Sequence, residues 1–115
     1  MKIRLISFGF KSGAIPSGET FVFNCRALAN PHHQQALRPL TGLDYAVKAF
    51  VARSEGFDDL YAKAKFHALG YADPTIAFGC FGGRHRSVAL AELLAEDLRA
   101  TKHQVQVTHR ELVSA

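Results

Sequence analysis

The sequence predicts one α/β domain, a small mixed β-sheet flanked by helices, built around a glycine-rich strand-loop-helix cradle for an anion. Three observations carry that prediction. Short apolar or alternating runs near both ends and in the middle read as strands. Two helical stripes separate the second of these runs from the third. The third run, Thr75 to Gly79, enters the loop Cys80-Phe81-Gly82-Gly83-Arg84-His85-Arg86-Ser87 and empties into a helical stretch, Val88 to Ala100. Glycines let a backbone turn sharply and aim successive N–H groups inward, and a helix N-terminus adds partial positive charge at that point. Arg84 and Arg86 add planar forks that match phosphate geometry.

Composition narrows the class. At 115 residues, with 48% hydrophobic and 21% charged residues, the chain fits one ordinary core, and nothing points to disorder or a fibre. The apolar runs are too short for a membrane span, and Met1-Lys2-Ile3-Arg4-Leu5 lacks the build of a signal peptide, so a cytoplasmic protein with no membrane partner is expected. Only Cys25 and Cys80 are present, without CxxC spacing, which excludes a disulfide framework. The net charge of +4 suits an anionic ligand, nucleic acid included.

Taken in order, residues 2 to 8 alternate as a first strand, and residues 9 to 18 form a loop rich in Gly and Ser that presents Lys11. Phe21 to Arg26 reads as a second strand ending in the polar pair Asn24 and Arg26, with Cys25 as a small buried filler. Ligand chemistry gathers at strand ends in sheets with helical crossovers, which places that pair near the same crevice. Residues 27 to 40 are a long irregular segment of the kind that is functional or disordered, and it carries His32 behind Pro31. No carboxylate or cysteine joins His32 and His33 at a familiar ligand spacing, so neither a metal nor another cofactor is expected.

Thr41 to Asp44 resembles a capping box, with Leu40 positioned to staple onto Tyr45 and Leu43, Val47, Phe50 and Val51 facing inward on a helix to about Arg53. A second helix runs from about Phe57 to Gly70, with His67 on its flank and no role assigned to it. Asp73-Pro74 turns into the cradle strand, and Val88, Ala91, Leu94, Ala95 and Leu98 give the last helix its core stripe. Gln104 to Thr108 alternates as a final strand with one exposed face, ending at His109 and Arg110.

Together these motifs resemble the C-terminal domain of the RNase adapter protein RapZ and its relatives. The matching stretches are Ile6 to Lys11, Phe21 to Arg26, Asn30 to His32, Leu37 to Asp44, Gly79 to Val88 and Val105 to Arg110, in the same order and over nearly the whole chain. The resemblance implies a dimeric module that senses an aminosugar phosphate, glucosamine-6-phosphate, and contributes to binding small regulatory RNA. It implies a ligand set of Asn24, Arg26, His32, Arg53 and the loop Phe81, Gly82, Gly83, Arg84, His85, Arg86 and Ser87. Where the family usually has an aspartate, this chain has Asn24, and an amide cannot ion-pair an ammonium group. Phe81 stands where the cradle usually carries threonine. Full-length relatives carry an N-terminal ATPase domain, whereas no GxxxxGK[ST] occurs here, so a free-standing sensor or an excised domain is expected.

Two other function classes compete with the sensor. The loop spells Cys-x-x-Gly-x-x-Arg-Ser, which resembles cysteine-dependent phosphatases, with Cys80 as nucleophile, Arg86 as clamp, Ser87 assisting the leaving thiolate and Asp73 as general acid. Against it, Gly79 replaces the histidine usual before the cysteine, and the rest of the chain matches the sensor family, so binding without catalysis is favoured. The third class is an RNA- or protein-interaction module using Lys11, Arg84, His109 and Arg110, whose binding would fall steeply with salt.

Overall fold

The computed structural model describes residues 1–112. Its strands are β1 (Lys2–Gly9), β2 (Thr20–Asn24), β3 (Thr75–Cys80) and β4 (Gln104–His109), and its helices are α1 (Tyr45–Ala52), α2 (Phe57–Gly70) and α3 (Arg86–Ala100). Short 3-10 turns cover Phe10–Ser12, Pro31–His33 and Gln35–Leu37. The sheet order is β2-β3-β1-β4, so the cradle strand lies inside the sheet as expected.

The α/β class is as the sequence predicts, but the sheet is not mixed: β1 pairs in parallel with both β3 and β4, and β2 pairs in parallel with β3. Parallel pairing needs a crossover that returns the chain to the starting edge. Helices α1 and α2 do this between β2 and β3, and α3 does it between β3 and β4. The clean alternation of β4 predicts one exposed face and leaves its direction open. It arises because β4 is the edge of a parallel sheet, with Gln104, Gln106 and Thr108 exposed and the residues between them half-buried.

Alternate strand positions face opposite sides. Ile3 and Leu5 of β1 and Ile76, Phe78 and Cys80 of β3 therefore join Val47 and Val51 of α1, Ala64 and Ala68 of α2, and Leu90, Leu94 and Leu98 of α3 in one core. Cys25 sits in this core as the filler it was expected to be. Burial pushes the Cys25 thiol well above its ordinary range, with Cys80 beside it adding to the shift.

The start of α1 differs in detail from expectation. Thr41 N–H donates to Asp44 Oδ2 at 2.8 Å and Leu43 N–H donates to the Thr41 hydroxyl at 3.2 Å, so the box forms, but as a turn leading to Asp44 as N-cap. Tyr45 is 83% exposed, so no staple forms with Leu40, and Leu43 also faces outward. His67, unassigned from sequence, packs edge-on against Phe21 and Phe23 at centroid distances of 4.8 and 5.4 Å, tying α2 to β2.

A polar chain fastens the β4 edge of the sheet on its core face. Ser7 Oγ lies 2.7 Å from His109 Nδ1, and His109 Nε2 lies 2.7 Å from Glu92 Oε2, linking β1, β4 and α3. Ser7 is fully buried, so its hydroxyl has no solvent partner to fall back on. His109→Ala strands the buried Ser7 hydroxyl and is expected to cost about 1–3 kcal/mol in urea unfolding. A loss below about 0.5 kcal/mol, the range of ordinary surface changes, would show the chain to be idle.

Candidate functional site

Beyond the C-terminal end of β3, residues 81 to 85 form the loop that feeds α3. Three backbone bonds clasp it: Lys11 N–H donates to Phe81 O at 3.1 Å, Gly42 N–H donates to Arg84 O at 2.9 Å, and Ala89 N–H donates to His85 O at 2.9 Å. Gly83 has φ +75, and a Cβ added there would lie 2.5 Å from Gly9 N. Only glycine meets both the left-handed conformation and the close approach. His85, the N-cap of α3, makes no side-chain cap, Ser87 N–H of the first turn donates to Cys80 Sγ at 3.5 Å, and His85 and Arg86 at this helix end line the cavity in front of the loop.

That cavity measures about 380 Å³. Its floor is Cys80 and the loop from Phe81 to Arg86, and its rim is Lys11 on one side and Asn30, His32 and Arg38 on the other. The rim residues are held from behind. Asn30 Oδ1 accepts His32 N–H at 3.0 Å, and Arg38 Nε donates to His32 O at 2.6 Å, which folds the irregular segment 27 to 40 over the cradle. Neither Asn30 nor Arg38 was singled out from sequence. The only signal was the length and irregularity of their segment.

Arg86 is 7% exposed, and its guanidinium donates to Arg26 O at 2.8 Å and Leu28 O at 3.2 Å. It fixes the chain after β2 while also lining the cavity. Arg84 is exposed, with only a long 3.4 Å contact to Glu111 O. His85 lines the cavity with its Nε2 buried and without a hydrogen-bond partner. Burial holds its pKa below the ordinary 6.5, partly offset by the nearby carbonyls of Leu37, Leu40 and Arg38.

The sign of that shift gives a pH prediction. The folded state takes up the His85 proton less readily than the unfolded chain, so its contribution to stability is complete above the ordinary histidine range and declines as pH falls through it. Thermal unfolding from neutral to mildly acidic pH is expected to show this decline, and His85→Gln to flatten it.

Several residues anticipated at the site lie elsewhere. Asn24 Oδ1 accepts from Arg26 N and Nε at 2.9 and 3.1 Å, and the Arg26 guanidinium lies 4.0 Å from the Phe10 ring centre. Neither lines the cavity. Arg53 closes α1 and lines a separate shallow groove with Gln34, Leu37 and Phe50. His109 places its ring nitrogens against Ser7 and Glu92 and does not line the cavity. Arg110 lies over Phe8 with its Nε 3.3 Å from Glu111 Oε2, leaving Lys11 and Arg84 as the members of that set on the cavity.

The phosphatase constellation is likewise incomplete. Asp73 accepts Lys2 N–H at 2.8 Å at the start of β3, whereas Cys80 ends that strand. Six strand residues separate them by about 20 Å, too far for a general acid. Cys80 is 2% exposed; its thiol donates to Ser87 Oγ at 3.3 Å, and Ser87 is fully buried.

Comparison with known proteins gives the family. The family model described as the RapZ C-terminal domain matches residues 1–113. The chain is 48% identical over 121 residues to a nucleotide-binding protein of Bifidobacterium adolescentis, covering 97% of this chain and 39% of that protein. A nucleotide-binding protein of Thermus thermophilus is 45% identical over 119 residues, covering 96% of this chain and 42% of its own length. One of Sphingopyxis alaskensis is 39% identical over 122 residues, at 98% and 38%. The chain thus spans about two fifths of the length of these relatives, and it belongs to the RapZ C-terminal domain family.

Proposed function

We propose that the domain is a regulatory module that binds a small phosphorylated sugar at the cradle and does not transform it. One observation carries the reading: the glycine loop, Arg84 and the first residue of α3, Arg86, line one cavity of about 380 Å³. Backbone N–H groups and the helix end favour an anion there, and guanidinium groups add charge-assisted bonds. Cys80 and Ser87 are buried against each other and Asp73 is remote, so the surroundings favour holding a phosphate over cleaving it.

The family resemblance supports a ligand of the glucosamine-6-phosphate type, a homodimer, a cytoplasmic setting, and contact with RNA or a regulatory protein. Among the described residues no helix is long and apolar enough to cross a membrane. Occupancy would draw His32 and Arg38 onto the ligand and so change the outer face of segment 27 to 40. Such a signal requires the ligand to bind the two arrangements of that segment with different affinity.

Thermal unfolding with glucose-6-phosphate, inorganic phosphate or neither tests this. A ligand at a hundred times its dissociation constant adds about 2.7 kcal/mol of stability. The sugar phosphate is expected to raise the midpoint beyond phosphate, and Arg84→Ala to cut the rise at least in half. Equal curves with and without sugar phosphate would contradict the proposal.

A further inference from the structure

The two cysteines of the chain, far apart in sequence, lie at one spot in the fold. Strands β2 and β3 run in parallel with Asn24 opposite Gly79, and a bond from Cys25 N–H to Gly79 O at 2.7 Å carries the pairing one residue further. Cys25 therefore stands beside Cys80. Cys25 follows Phe21 and Phe23 in alternation, Cys80 follows Ile76 and Phe78, and both side chains enter the same core. Neighbouring strands run about 4.8 Å apart, and a disulfide spans Cα atoms about 4.4–6.8 Å apart. The pair thus meets the spacing of a bridge without any change of register.

Access to the two sulfurs differs. Cys80 belongs to the cavity floor, whereas Cys25 is fully buried and does not line the cavity. A small solute in the cavity reaches the first sulfur and not the second. The Cys80 thiol donates to Ser87 Oγ at 3.3 Å and accepts Ser87 N–H at 3.5 Å, so this sulfur also holds the first turn of α3. Burial pushes the Cys25 thiol up and Cys80 adds to the shift, while the Arg86 guanidinium acts in the opposite sense.

We infer that Cys80 is an oxidation site reached through the cavity, and that Cys25 is its resolving partner, the two closing into a disulfide when a small hydroperoxide enters. The Cys80 sulfur attacks one peroxide oxygen, the O–O bond breaks, and the departing hydroxide takes the Cys80 proton and leaves as water. The Cys25 sulfur then displaces the hydroxyl of the Cys80 sulfenic acid, which forms the S–S bond and releases a second water with the Cys25 proton. The thiol pair loses two electrons and the peroxide gains them. Closure removes the S–H that Cys80 donates to Ser87, so the bridge alters the cavity floor and loosens the start of α3.

Intact mass and non-reducing peptide mapping of the whole chain, reduced and then treated with hydrogen peroxide, test this. The folded chain is expected to lose two hydrogens, to yield a linked pair of peptides holding Cys25 and Cys80, and to regain its starting mass with dithiothreitol. Cys25→Ala is expected to gain oxygen on Cys80 in place of the link. Cys80→Ala is expected to leave Cys25 unmodified while folded and to expose it to oxidation in urea.

Three results would overturn the inference. One is a folded wild type whose thiols both stay free under peroxide that oxidises them in urea. Another is a set of bridges that join separate chains and none that joins Cys25 to Cys80 within one. The last is oxidation of Cys25 in folded Cys80→Ala as fast as in wild type, which would mean that Cys80 is not the entry point. Because the wild-type map is read without any substitution, the outcome does not depend on either variant folding.

Discussion

Arg86→Ala is expected to cost about 2–3 kcal/mol of stability and to weaken phosphate-ligand binding by at least about a hundredfold. Two terms act together. The side chain is 7% exposed, and its loss strands the carbonyls of Arg26 and Leu28 that its guanidinium now holds. Binding suffers because the same group lines the cavity and because the chain after β2 loses its anchor. Arg86→Lys separates the two roles: a single ammonium retains the charge but cannot reproduce the planar fork. Urea unfolding and calorimetry on both variants check this. Near-wild-type stability for the alanine variant would mean that the bonds to Arg26 and Leu28 carry little weight.

Gly42→Ala should be as damaging, at about 3 kcal/mol, through crowding alone. A Cβ at this position would lie 2.6 Å from His85 O and 2.7 Å from Val88 Cβ, and closer still to Ala89 N. Most of these are backbone atoms of the first turn of α3, which cannot move without breaking the bond from Ala89 N–H to His85 O. Relief would instead push the 41–42 turn away and lose the bond from Gly42 N–H to Arg84 O. Since Gly42 does not have positive φ, the effect is one of space. A urea midpoint shift equivalent to less than about 1 kcal/mol would contradict it.

Much of this was legible in the chain. Glycines dense between an apolar strand and a helical stripe announced the cradle, and Lys11, His32 and the loop from Phe81 to Arg86 do line the cavity. What periodicity cannot supply is the destination of a long side chain. Arg53, at the end of α1, lines a different groove from the one the family resemblance implied. His109 reads as an exposed strand end, yet Ser7 and Glu92, far away in sequence, claim it. Arg38 escaped notice because its position depends on how an irregular segment folds back, and no repeating pattern encodes that. Strand direction was hidden for another reason: a half-exposed edge strand alternates in the same way whether its neighbour runs parallel or antiparallel.

The dual use of Arg86 also explains how occupancy could be felt outside the pocket. One guanidinium both lines the cavity and holds the carbonyls of the segment that leads into residues 27 to 40. A phosphate drawing on its remaining N–H groups would tighten that segment, and Arg38 would follow through its bond to His32 O.

Phosphorus NMR of glucose-6-phosphate titrated with the domain tests the central claim most directly, because one spectrum reports both binding and turnover. The account predicts that the sugar phosphate resonance shifts or broadens saturably and keeps its full integrated intensity over hours, with no inorganic phosphate signal. An unperturbed resonance would show that the cradle holds no sugar phosphate, and a growing inorganic phosphate signal that disappears with Cys80→Ser would show that it is a phosphatase.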